Sequence, residues 1–128
     1  MFKLALIAAG GAMGAVLRYL VGAMVSRIVV DVFPWGTLVV NLSGAFIIGI
    51  LWELAENSVI FPSLRLFLFI GLLGAYTTFS TYSLECLNLI RDGEYSRAVM
   101  NIFLSNVAGI SVVFGGIIVS RLIIQSFK

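Results

Sequence analysis

Eight consecutive residues, Tyr76-Thr-Thr-Phe-Ser-Thr-Tyr-Ser83, carry seven hydroxyl groups, and only Phe79 among them lacks a polar atom. The run lies inside a charge-free stretch from Leu66 to Leu84, part of an apolar span of about 66–89 centred near Thr77. Facing lipid, each unsatisfied polar group there loses several kcal/mol, so the run must line a protein interior or a water-filled path. Any one hydroxyl is explained by an interhelical hydrogen bond, but seven in so short a segment favour a pathway. Successive threonines close to Gly74 also make poor continuous helix, so a local break is expected. A break would free carbonyl oxygens at the bilayer midplane, where a small hard cation takes such atoms as ligands.

Other apolar segments offer matching groups. Asn41 shares a face with Gly44, Ala45 and Ile48, while Asn101 and Ser105 stand four apart with Asn106 adjacent. Arg18 is deep enough that it must face protein or a vestibule. Amides, hydroxyls and guanidinium all donate hydrogen bonds, whereas the only acid well inside an apolar segment is Glu85. A donor-rich lining without a central carboxylate suits an anion better than a cation or a proton relay. Histidine is absent and Cys86 is the one cysteine, which excludes an internal disulfide, Cys/His zinc sites and histidine-based catalysis.

The elements that must position these groups follow from composition. Of 128 residues, 61% are hydrophobic and 11% charged, too few charges to cover a small domain in water. The eight basic and six acidic residues are spread thinly, with no basic tract suited to nucleic acid. A bilayer core needs roughly 20 helical residues per crossing. The sequence therefore reads as a single all-α membrane domain over 1–128, with four transmembrane helices at about 4–28, 36–54, 66–89 and 98–120 and the third broken near its middle. Breakers fall between them: Asp31 to Gly36, Asn57 to Ser63 around Pro62, and Arg91-Asp-Gly93-Glu. Small residues (Gly10, Gly14 and Gly22; Ala45 and Gly49; Gly71 and Ala75; Gly109, Gly115 and Gly116) give close-packing faces and predict oligomerisation.

Four crossings put Lys3, Arg65, Arg121 and Lys128 on one side and Arg27, Arg91 and Arg97 on the other. Lysine and arginine in short loops set membrane orientation, and this balance gives almost no bias. The counts fit a weakly biased single orientation equally well as insertion both ways up, in which two opposite copies pair about an axis in the membrane plane.

Three motifs in register resemble the Fluc (CrcB) fluoride channels: Gly10-Gly11-x-x-Gly14-x-x-x-Arg18, Gly36-Thr-Leu-Val-Val-Asn41-Leu, and Gly74-Ala-Tyr-Thr-Thr-Phe-Ser-Thr-Tyr-Ser83 with Glu85 behind it. The resemblance covers essentially the whole chain. It implies a dual-topology, antiparallel homodimer in the cell membrane, with two pores through which fluoride leaves the cytoplasm passively. It also implies that Gly74 and Thr77 supply backbone carbonyls to a central structural sodium ion that is not transported. By the same resemblance Asn41, Phe79, Ser80, Tyr82, Asn101 and Ser105 are expected along the fluoride path, and Arg18 in a vestibule or structural role. Tyr82 stands where the family usually has phenylalanine, and Gly109 brings no hydroxyl to the third position of the fourth-helix polar track.

Three other classes compete. A small dual-topology multidrug exporter shares the size and charge balance, but proton exchange needs an early membrane-embedded carboxylate, and the chain has no acid before Asp31. A non-conducting helper subunit has no need of hydroxyls and rings at the midplane. An enzyme is disfavoured because Glu85 has no evident catalytic partner.

Overall fold

The computed structural model describes residues 1–57 and 59–126; Lys128, counted above among the orienting charges, lies outside them. Four helical spans are long and apolar enough to cross a membrane. The first is α1 (Phe2–Ile28) and the second α2 (Trp35–Glu56). The third, Pro62–Arg91, consists of two helices, α3 (62–76) and α4 (Phe79–Arg91), and the fourth is α5 (Tyr95–Ser126).

Each span runs past the charge-free run that marks it in the sequence, taking in Lys3, Glu53, Glu56, Arg65, Arg91, Arg97 and Arg121. Backbone hydrogen bonding, not apolarity, ends a helix, and long charged side chains at its ends reach the interface without breaking it. Pro62 sits in the first turn of α3, where its missing N–H is no loss. Gly93, at φ 78°, closes α4: Glu94 N–H donates to Leu89 O at 2.8 Å and Gly93 N–H to Ile90 O at 3.1 Å, and the chain turns directly into α5.

α1 lies against α3 and α2, α2 runs along the C-terminal half of α5, and α4 pairs with the start of α5. Glycine sets these approaches. A Cβ on Gly14 would strike the Leu72 carbonyl, and one on Gly116 the Phe46 carbonyl. The small-residue faces expected to join separate copies are thus largely spent inside the chain: Gly10, Gly14 and Gly71 between α1 and α3, Gly49 and Gly116 between α2 and α5. A Cβ on Gly22 or Gly109 would meet nothing within 4 Å. Gly116→Ala should therefore lower stability by about 1–3 kcal/mol, read as loss of thermal resistance in detergent, while Gly22→Ala leaves it unchanged.

The core sits where α1, α2 and the end of α3 meet, around Val40, Leu73 and Tyr76. Immediately beyond it the third span breaks, as its threonines predict. Thr77 (φ −78°, ψ 155°) and Thr78 (φ −145°, ψ 113°) are extended, and the Thr78 hydroxyl caps α4 by accepting from Thr81 N–H at 3.3 Å.

The loop between α1 and α2 is tied to the start of α5. The Asp31 carboxylate accepts from Trp35 Nε1 at 3.1 Å and from Val32 N–H at 2.7 Å, and pairs with Arg97 at 3.5 Å. The Trp35 bond, aided by backbone N–H groups and the Arg97 charge, holds this acid below its ordinary value of 3.8. A depressed acid contributes stability that is complete above its unfolded value and is lost as pH falls through the lower folded one. With Trp52 replaced by phenylalanine, Trp35 fluorescence should hold steady from pH 7 to about 4 and change below that; Asp31→Asn should remove the transition.

Candidate functional site

Asn41 and the break form one unit. The Asn41 side chain brackets the extended backbone, its Oδ1 accepting from Thr78 N–H at 2.8 Å and its Nδ2 donating to Thr78 O at 3.1 Å. A carboxamide has two N–H groups, so one remains to serve the cavity that Asn41 also lines. From the α2 side, Ser43 Oγ lies 2.8 Å from the hydroxyl of the buried Tyr76, bracing the last turn before the break. Gly44 makes room for this joint, since a Cβ there would collide with the Thr77 methyl.

The break redirects two N–H groups. In an uninterrupted helix Thr78 N–H would bond Gly74 O, and Thr81 N–H would bond Thr77 O. Here Thr78 N–H goes to Asn41 and Thr81 N–H to the Thr78 hydroxyl. The Gly74 and Thr77 carbonyls are thereby released from their helical donors, a neutral oxygen set of the kind that suits a hard cation.

A cavity of about 230 Å³ opens beside the break, lined by Asn41, Thr77, Thr78, Phe79, Tyr82, Ser105 and Asn106. Phe79 and Tyr82, one turn apart on α4, have ring centroids 5.7 Å apart at an interplanar angle of 51°. Phe79 is 78% exposed in the single chain. Asn101 lies behind this wall rather than on it. It is 1% exposed, donates to Cys86 Sγ at 3.4 Å and accepts from Ser105 Oγ at 3.2 Å. Ser80, next to Phe79 on α4, is exposed and does not line this cavity. The structure thus gathers Asn41, Phe79, Tyr82 and Ser105 around one space, with Asn101 as support and Ser80 outside it.

Sequence reasoning passed over Thr78, Ser43 and Asn106. Asn106 was visible as a polar residue next to Ser105, but a spacing of four from Asn101 leads on to Gly109 instead. The π-helical turn Leu104–Ala108 changes that phase, and Asn106 joins the cavity while Gly109 does not line it.

A second cavity, about 480 Å³, lies on the α4 side of the break between α1, α2 and α4. Arg18 lines it with Gly22, Thr37, Thr78, Thr81 and Glu85. Thr37 donates to Glu85 Oε1 at 2.6 Å. Among the described residues no three Cys, Asp or Glu side chains converge as a metal site.

Residues 5–117 match the family model described as CrcB-like protein, Camphor Resistance (CrcB). The chain belongs to the CrcB family. It is 42% identical over 128 residues to a protein of Parabacteroides distasonis named fluoride-specific ion channel FluC, with both chains covered in full. Proteins of the same name from Agrobacterium fabrum and Shewanella amazonensis are 44% identical over 124 residues and 46% over 110. These matches cover 94% of this chain and 98% of the relative in the first case, and 86% and 89% in the second. The CrcB relatives are named as ion channels, not enzymes, and the four apolar spans make this CrcB protein a multi-pass membrane protein.

Proposed function

We propose that this chain is a fluoride-selective channel that lets cytoplasmic fluoride leave the cell down its gradient, working in the cell membrane as an antiparallel pair of identical copies with two pores. The observation that carries the reading is the joint at the break. An asparagine N–H, a serine hydroxyl and two aromatic rings meet there around one cavity with no carboxylate on its wall.

Fluoride is small and strongly hydrated, so a pore must replace its water with good donors. Asn41 keeps one uncharged N–H for the cavity, Ser105 reaches an anion by turning its O–H from Asn101 Oδ1, and the rims of Phe79 and Tyr82 carry partial positive charge that attracts an anion lying in the ring plane. A full cation on the cavity wall would hold the ion too tightly, because conduction requires binding weak enough to leave. Arg18 stands back in the vestibule, where its charge draws anions in without trapping them. Ser80 and Asn101 extend the same path, Ser80 from the exposed face of α4 and Asn101 by orienting Ser105.

The released Gly74 and Thr77 carbonyls fit a structural sodium ion shared between two copies. When bound, such an ion supplies positive potential at the midplane, where an entering anion is otherwise least stable. The chain's own part is to keep Thr77 and Thr78 from refolding as helix, which Asn41, Ser43 and the Thr78 cap accomplish.

The cellular test is growth. Expression in a bacterium lacking its own fluoride exit route should restore growth in millimolar fluoride. Membrane-inserted protein that leaves the cells as sensitive as before would refute the proposal.

A further inference from the structure

Resting on that reading, we propose that the Tyr82 hydroxyl, held by Asn106, is an additional donor to the passing anion and sets how tightly this chain's pore grips fluoride. Tyr82 lies on the cavity wall with Asn41, Thr78 and Ser105. Asn106 Nδ2 donates to Tyr82 Oη at 3.2 Å and to Ile102 O at 2.7 Å, so one amide spans the π-helical turn and the ring of α4. The direction of the first bond matters. A phenol oxygen has two acceptor positions and one proton, and an amide N–H fills an acceptor position and leaves the proton free. The Cys86 sulfur stands beside the hydroxyl, but a thiol is a weak acceptor that a bare anion displaces readily.

Phenylalanine in this position offers only a ring edge, whereas tyrosine adds an O–H that is more acidic than serine's and equally uncharged. Hydrogen bonds to a charged partner are about twice as strong as neutral ones. The hydroxyl therefore increases affinity without placing a cation in the path. Asn106 is a positioning residue here, acting through Tyr82.

The test is the half-saturating fluoride concentration for flux through purified protein in liposomes, with wild type, Tyr82→Phe, Asn106→Leu and the double variant compared. Tyr82→Phe removes one oxygen and opens no cavity, and its elution on size exclusion should match wild type. It should raise half-saturation about tenfold, the effect of one charge-assisted hydrogen bond. Asn106→Leu should shift it the same way, and the double variant should go no further than Tyr82→Phe alone. Half-saturation of Tyr82→Phe within twofold of wild type would overturn the inference, as would additive effects in the double variant. Wild-type protein that passes no fluoride at all would instead remove the channel reading beneath it.

Discussion

Asn41→Asp is expected to bring fluoride efflux from proteoliposomes down to the protein-free background while the protein still elutes as wild type does. Two effects combine. An aspartate cannot donate to Thr78 O, so a carboxylate oxygen faces a carbonyl across what is now a 3.1 Å hydrogen bond. It also replaces a donor to the anion with a like charge on the cavity wall. At about 4 Å and an effective dielectric of 20, that repulsion is about 4 kcal/mol, roughly a thousandfold in occupancy. Phe79→Ile tests the ring separately: it keeps an apolar side chain of useful size but removes the polarised edge, and flux should fall about tenfold. Wild-type flux in both variants would remove the assignment of the pore to this cavity.

The second large effect concerns orientation. Among the described residues, Lys3, Arg65 and Arg121 lie on one side and Arg27, Arg91 and Arg97 on the other. The ion pairs respect that division, with Arg65 and Arg121 meeting Glu56 and Glu53 at one end and Arg97 meeting Asp31 at the other. Added lysines in the 57–61 loop should drive all copies one way up, and added lysines near Arg91 should drive them the other way. If function needs two opposed copies, either biased variant alone should lose nearly all flux, and co-expression of the two should restore it. Full flux from a uniformly inserted variant would rule out the antiparallel pair.

Much of this architecture is legible in the sequence because lipid leaves few options. A charge-free run long enough to cross reads as a helix, and a crossing with seven hydroxyls in eight residues must meet protein or water. A break near the middle of the third span is expected from its successive threonines, and the structure has it at Thr77 and Thr78. What was hidden depends on register and on contacts between distant segments. Asn41 reads as a lining residue, but its bracket on Thr78 joins positions 37 residues apart, which no local pattern encodes. The α-helical spacing from Asn101 to Gly109 is upset by a π-helical turn, which exchanges Gly109 for Asn106. Ser80 shares its composition with its neighbours but not their direction, because 100° per residue carries it off the cavity. Glycine faces announce close packing without saying whether the partner is the same chain, and here it mostly is.

The most direct measurement of the central claim, that uncharged donors and ring edges at the break dehydrate and pass fluoride, is ion efflux from liposomes holding the purified protein, with potassium permeability supplied by an ionophore. Fluoride and chloride electrodes read the same preparation, with sodium present or replaced by a large organic cation. The account predicts rapid fluoride release, chloride at the protein-free level, and fluoride release that depends on sodium having been available to the protein. Chloride release comparable to fluoride, or no release of either, would contradict it.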